Sequence, residues 1–149
     1  MEYKYISKSE EDTIELAQNI ESEKFENMII CLDGDLGTGK TVFTKAFAGA
    51  MEIEDTITSP TYNIIKEYKG PMNLYHMDVY RLTSNIEEIG LTDYFKLPGV
   101  IIIEWSEMIK EHLPKERLEI KIIAKSENSR VIKLIPYGEV YESLCEKIL

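Results

Sequence analysis

Eight consecutive residues, Gly34-Asp35-Leu36-Gly37-Thr38-Gly39-Lys40-Thr41, have types and spacing that suit phosphate chemistry. They match GxxxxGK followed by Ser or Thr, the Walker A pattern. There, backbone N–H groups wrap a run of phosphates, the lysine meets the β- and γ-phosphates, and the hydroxyl ligates Mg²⁺. Glycine at 34, 37 and 39 lets the backbone turn and approach an anion where a Cβ would obstruct it. Nucleotide binding is therefore expected at Gly37, Thr38, Gly39, Lys40, Thr41 and Val42, with Lys40 on the transferred phosphate and Thr41 on the metal.

A magnesium nucleotide also needs an acid at the end of a neighbouring strand, to hold the metal directly or through water. Asp78 closes the run Leu74 to Met77, and Glu104 closes Val100 to Ile103. Either can be the second metal-site acid, and the residues alone do not rank them. Asp35 is left out, because a carboxylate aimed at phosphates is repelled. Ser59-Pro60-Thr61-Tyr62 lies where other P-loop proteins carry a segment that senses the γ-phosphate, although a proline turn with a hydroxyl cap reads the same way. His76 shares a strand face with Asp78, but no third ligand at metal-binding spacing accompanies them, so His76 reads as a hydrogen-bonded histidine beside the site. Arg81 is expected to pair with an acid.

The surrounding elements must place this loop between a strand and a helix. Met28 to Leu32 is a continuous apolar run, as in a strand buried on both faces, and Lys40 to Met51 reads as a helix. A first helix is expected from about Glu10 to Glu21, with Ser9 and Asp12 as its capping signal. Tyr62 to Tyr68 and Met72 to Val79 read as strands joined through Lys69-Gly70-Pro71. Ile86 to Tyr94 reads as a short helix, and Val100 to Ile103 as another central strand. Leu118 to Ala124 and Arg130 to Ile135 flank a polar turn and should pair antiparallel, before a closing amphipathic helix from Tyr137 to Leu149. The pattern predicts a single α/β domain of the P-loop NTPase kind, with a mostly parallel central sheet, an antiparallel part and flanking helices.

The 149 residues carry 17 Lys and Arg against 27 Asp and Glu, a net charge of −10 that repels nucleic acid at long range. Two cysteines, Cys31 and Cys145, suggest neither a disulfide framework nor a zinc site. The cysteine usage fits a reducing cytoplasm, where the protein is expected, and since Met1 to Asp12 lacks the apolar core of a secretory signal and no stretch is long enough to span a bilayer, it is expected to be soluble.

In order along the chain, the phosphate loop, Ser59-Pro60-Thr61-Tyr62, His76-Met77-Asp78-Val79-Tyr80-Arg81 and Ile103-Glu104-Trp105 resemble the bacterial TsaE family, ATPases of the tRNA threonylcarbamoyladenosine modification system. The resemblance implies an ATP- and Mg²⁺-dependent ATPase that acts with a TsaD-type threonylcarbamoyl transferase and its TsaB-type companion, and that reaches tRNA only through them. It further implies that Lys40 and Thr41 bind phosphate and Mg²⁺, that Asp78 and Glu104 serve metal and catalytic water, and that Thr61 belongs to a switch-like loop. Thr13 and Arg130 match the family's outlying nucleotide contacts. A small-molecule or nucleoside kinase is the competing enzyme class. Against it stands an arginine content of only Arg81, Arg117 and Arg130, too few to clamp two phosphorylated groups. A GTPase lacks its Asn-Lys-x-Asp stretch here. A regulatory module, switched by nucleotide occupancy with incidental turnover, stays compatible with the family reading.

Overall fold

A computed structural model describes residues 1–35, 37–57, 64–80 and 90–149. Its strands are β1 (Tyr3–Ser7), β2 (Met28–Gly34), β3 (Ile65–Tyr68), β4 (Leu74–Asp78), β5 (Val100–Glu104), β6 (Arg117–Ala124) and β7 (Arg130–Tyr137). Its α-helices are α1 (Glu10–Ser22), α2 (Lys40–Ala50) and α3 (Glu139–Ile148). The strands form one sheet in the order β1-β7-β6-β2-β5-β4-β3. The central neighbours β6, β2, β5 and β4 run parallel, while β1–β7, β7–β6 and β4–β3 are antiparallel. The sheet is therefore mixed. The expected parallel centre is present, but antiparallel pairings flank it on both sides, because short turns return β3 into β4 and β6 into β7.

β2 and β5 are apolar at nearly every position because both of their faces are covered. On one face, Ile30, Leu32 and Ile102 pack under Leu16 and Ile20 of α1, Phe43 and Phe47 of α2 and Leu144 of α3. On the other, Ile29, Cys31, Ile101 and Ile103 pack against Leu91 and Ile109, which lie in two 3₁₀ segments, Leu91–Lys96 and Ser106–His112. Burying a side chain of this size contributes about 1.5–3 kcal/mol, so this two-sided core holds the strand ends in register.

Ser9 caps α1 by accepting from the Asp12 backbone N–H at 3.2 Å, and the Asp12 carboxylate accepts from the Lys8 N–H at 2.8 Å. This is the capping signal visible in the sequence, with its return bond one residue earlier than in the usual box. β1 and the segment Ser106–His112 were not anticipated. The helix expected over Ile86 to Tyr94 is corrected in its described part: Gly90 adopts φ +76°, and a 3₁₀ segment follows it from Leu91. Residues 81–89 lie outside the described residues. No helix among the described residues is long and apolar enough to cross a membrane.

Candidate functional site

The site forms where three parallel strands end together. Register pairs Leu32 with Glu104 and Asp78 with Glu104, so β5 and β4 end side by side next to the stretch of β2 that leads into the glycine loop. Sheet alternation puts His76, Asp78 and Glu104 on the face that α2 covers. The glycine loop leaves β2 and enters α2 at the same edge.

Two of its glycines have distinct reasons. At Gly34, an added Cβ would stand 2.7 Å from both the Ile122 carbonyl and the Thr38 hydroxyl, so the loop packs against β6 only without a side chain. Gly39 precedes α2 with φ +114°, a conformation that side chains rarely adopt, and an added Cβ there meets nothing within 4 Å. The space beside it is open, as a phosphate cradle at a helix N-terminus requires.

Two adjoining cavities share Gly37, Gly39 and Val42. One, of about 300 Å³, is lined by Lys40, Thr41, Asp78, Glu104 and Trp105. The other, of about 180 Å³, is lined by Ser9, Glu10, Thr13, Thr38, Glu127, Asn128 and Arg130. Every expected site residue among the described residues thus borders one connected depression. Thr61 and Arg81, with the segment Ser59 to Tyr62, lie outside the described residues.

Lys40 is almost wholly buried, and its ammonium donates to the Gly34 carbonyl and, at 3.3 Å, to the Asp35 carbonyl. It also lies 4.1 Å from the centroid of the Trp105 ring. Burial draws the Lys40 pKa below its ordinary value, opposed by Glu104, Asp78, Asp33 and Asp35. Burial likewise raises Asp78, although its carboxylate accepts from the Tyr80 N–H at 3.0 Å. Glu104 is buried and paired to His76, as a hydrogen-bonded histidine beside the site was expected to be. The exposed Asp35 side chain agrees with its exclusion from the catalytic set.

Trp105 adopts φ +60° and ψ +36°, a left-handed conformation that turns the chain sharply after Glu104. Its N–H donates to the Leu32 carbonyl at 3.2 Å, and its ring lies 4.6 Å from that of Tyr80. Behind the turn, buried Asp33 accepts from the Ser106 hydroxyl at 2.5 Å and from the Glu107 N–H at 3.4 Å. Burial raises the Asp33 pKa, and the Ser106 hydrogen bond works against that rise. Sequence reasoning missed Asp33 because its partner lies 73 residues away.

The outlying residues Thr13 and Arg130 are tied into the fold by hydrogen bonds. The Thr13 hydroxyl shares a 2.7 Å hydrogen bond with the Ser7 hydroxyl, which ties α1 to β1 at the cavity wall. Arg130 donates from Nε to the Thr38 carbonyl at 2.9 Å, and from Nη1 to the carbonyls of Ser126 at 2.8 Å and Ser129 at 3.0 Å. It clasps the β6–β7 turn to the phosphate loop. Ser9, Glu10, Glu127 and Asn128 were not anticipated, because nothing in their local sequence brings two turns and a helix start together.

The family model described as threonylcarbamoyl adenosine biosynthesis protein TsaE matches residues 7–132. The chain belongs to the TsaE family. It is 47% identical over 121 residues to the tRNA threonylcarbamoyladenosine biosynthesis protein TsaE of Bacillus subtilis, covering 80% of this chain and 77% of that one. It is 35% identical over 129 residues to the TsaE protein of Treponema pallidum, covering 85% and 96%. The crystal structure of Bacillus subtilis YdiB matches with a TM-score of 0.87 and 38% identity, over 99% of this chain and 94% of that one.

The donor set fits a magnesium nucleotide. Among the described residues no cluster of three or more His, Cys, Asp or Glu could hold a metal unaided. One hydroxyl and two carboxylates beside an open cradle suit instead a small, hard cation that keeps water and phosphate oxygens among its ligands.

Proposed function

We propose that this TsaE-family protein binds and hydrolyses ATP with Mg²⁺, in support of tRNA threonylcarbamoyladenosine biosynthesis. The observation that carries this reading is the connected pair of cavities. One gathers the lysine, hydroxyl and carboxylates suited to phosphates and metal, and the other is the adjoining recess between the start of α1 and the β6–β7 turn, for the nucleoside. The loop N–H groups and α2 N-terminus receive the phosphates, while Thr13, Val42 and Asn128 wall the nucleoside side. Lys40 exchanges its loop carbonyls for β- and γ-phosphate oxygens, and the added negative charge holds its ammonium protonated. Thr41 and Asp78, with Glu104 beside them, would hold Mg²⁺, which neutralises charge on the phosphates when bound. Glu104 orients the attacking water, and Thr61 contributes from the preceding segment. The partners are a TsaD-type transferase and its TsaB-type companion in the cytoplasm, with tRNA held by them.

The kinase alternative weakens further. Arg117 is committed to Glu119 at 2.7 Å and to the Tyr137 ring, so it is not available to clamp an acceptor. Phosphate release from MgATP, measured for the chain alone and with each partner, tests the proposal. Lys40→Ala should lower turnover by at least about 100-fold in a chain that still unfolds cooperatively. Undiminished turnover in a folded Lys40→Ala chain would refute the assignment.

A further inference from the structure

Glu104 has a buried partner that phosphate chemistry does not itself demand. His76 lies on β4, only 2% exposed, and its Nε2 meets Oε2 of Glu104 in a short contact. Register sets His76 opposite Ile102, so the imidazole and Glu104 are diagonal neighbours on one face of the sheet, a gap that a glutamate side chain spans. The proton of this pair belongs on Nε2. The other ring nitrogen, Nδ1, is buried with no hydrogen-bond partner among the described residues, and an orphaned N–H there is the costlier arrangement. His76 therefore donates and Glu104 accepts.

The Glu104 backbone is already fixed from both sides. The Val79 N–H donates to its carbonyl at 3.2 Å, and the following N–H, of Trp105, donates to Leu32 at 3.2 Å. What the strand ladder leaves undetermined is the rotation of the side chain in a cavity of about 300 Å³ that it shares with Lys40, Thr41 and Asp78. A carboxylate free to rotate there can turn to the Lys40 ammonium or the Thr41 hydroxyl. One anchored oxygen removes that choice.

We propose that His76 is a positioning residue for Glu104, holding its carboxylate in the orientation used for hydrolysis; this rests on the ATPase reading of the same site. Its removal slows turnover and leaves nucleotide affinity nearly unchanged, because the loop, Lys40 and Thr41 bind phosphate without it. The glutamine variant supplies an amide N–H near the position of Nε2, whereas methionine fills similar volume and supplies none.

The test compares wild type, His76→Met and His76→Gln in phosphate release at saturating MgATP, with the partners present and Lys40→Ala as the inactive reference. Nucleotide Kd is read from Trp105 fluorescence and folding from thermal melts. Expected are an affinity within about twofold of wild type, turnover at least about tenfold lower in His76→Met, and recovery of most of it in His76→Gln. If methionine disrupts folding, His76→Asn, whose shorter amide does not reach Glu104, gives the same comparison. In ¹⁵N-resolved NMR, the buried His76 should show an Nε2–H protected from solvent exchange that shifts in Glu104→Gln. Full turnover in His76→Met, equal losses of affinity and turnover with no rescue by glutamine, or an unprotected Nε2–H would each overturn the positioning role alone. A wild-type chain that releases no phosphate under any of these conditions would remove the ATPase reading and the positioning role with it.

Discussion

Asp78 and Glu104 end adjacent strands, face one cavity and are both acidic, yet their surroundings differ. Asp78 is half-buried, with its carboxylate on the Tyr80 N–H, and its pKa is raised chiefly by burial. A metal ion or a bound ammonium would relieve that penalty, so under the proposed function Asp78 is the acid expected to gain from Mg²⁺. Glu104 is tied to His76 and oriented before any ligand arrives. Asp78→Ala should therefore mainly weaken Mg²⁺-dependent nucleotide binding, and Glu104→Ala should mainly lower turnover. Titrations of MgATP and ATP without metal, set beside kcat, distinguish the two, and equal effects on both quantities in both variants would make the assignment wrong. The sequence named both acids because each terminates an apolar run, but it could not separate them: the difference comes from partners on neighbouring strands. Thr61 was named on the same kind of reading and lies outside the described residues.

The long-range contacts that hold the elements around the site were the part least legible in the chain. β2, α2, β5 and the β6–β7 hairpin follow from apolar runs, the glycine loop and a polar turn, all local signals. β1 escaped notice because its alternation places Lys4 and the apolar Ile6 outward on a short edge strand, so burial and hydrophobicity disagree. Ser106–His112 depends on Asp33, far away in sequence. Ser106→Ala leaves an oxygen of the buried Asp33 carboxylate unsatisfied, which costs about 1–3 kcal/mol. The Asp33 pKa is already raised by burial, and loss of this hydrogen bond raises it further. An acid with a raised folded pKa is disfavoured in the native state once pH exceeds its unfolded value, and loses that penalty when protonated in both states. The Tm deficit of Ser106→Ala should thus be full near neutral pH and shrink as pH falls toward the ordinary aspartate range; a deficit independent of pH would contradict it. On the other side of the loop, Arg130→Met releases the β6–β7 turn from Thr38 and should raise KM for ATP with little change in kcat. A fall in kcat at unchanged KM would instead place the guanidinium on the reacting phosphates.

Across the whole molecule, a net charge of −10 is distributed so that several cations have an anion beside them. Lys24 meets Glu21, Lys121 meets Glu107 and Lys147 meets Glu23, while Arg117 is taken up by Glu119. Exposed pairs of this kind contribute little to stability, but each cancels a charge that could face phosphate. Lys40 and Arg130 are engaged with backbone carbonyls at the candidate site. Tight RNA binding needs a row of cations that together displace counterions, and 27 Asp and Glu interspersed among 17 Lys and Arg work against such a row. The isolated protein should therefore not bind tRNA appreciably at physiological salt. A negative surface would attract a protein partner of opposite potential, speeding encounter and selecting orientation, and under the proposed function that partner carries the RNA. Binding to the TsaD- and TsaB-type proteins, measured by calorimetry across a salt series, should weaken as ionic strength rises, mostly through a slower association rate. Partner binding indifferent to salt would assign the interface to apolar contacts, and tight tRNA binding by the chain alone would refute the division of labour in which this protein supplies hydrolysis and its partners hold the tRNA.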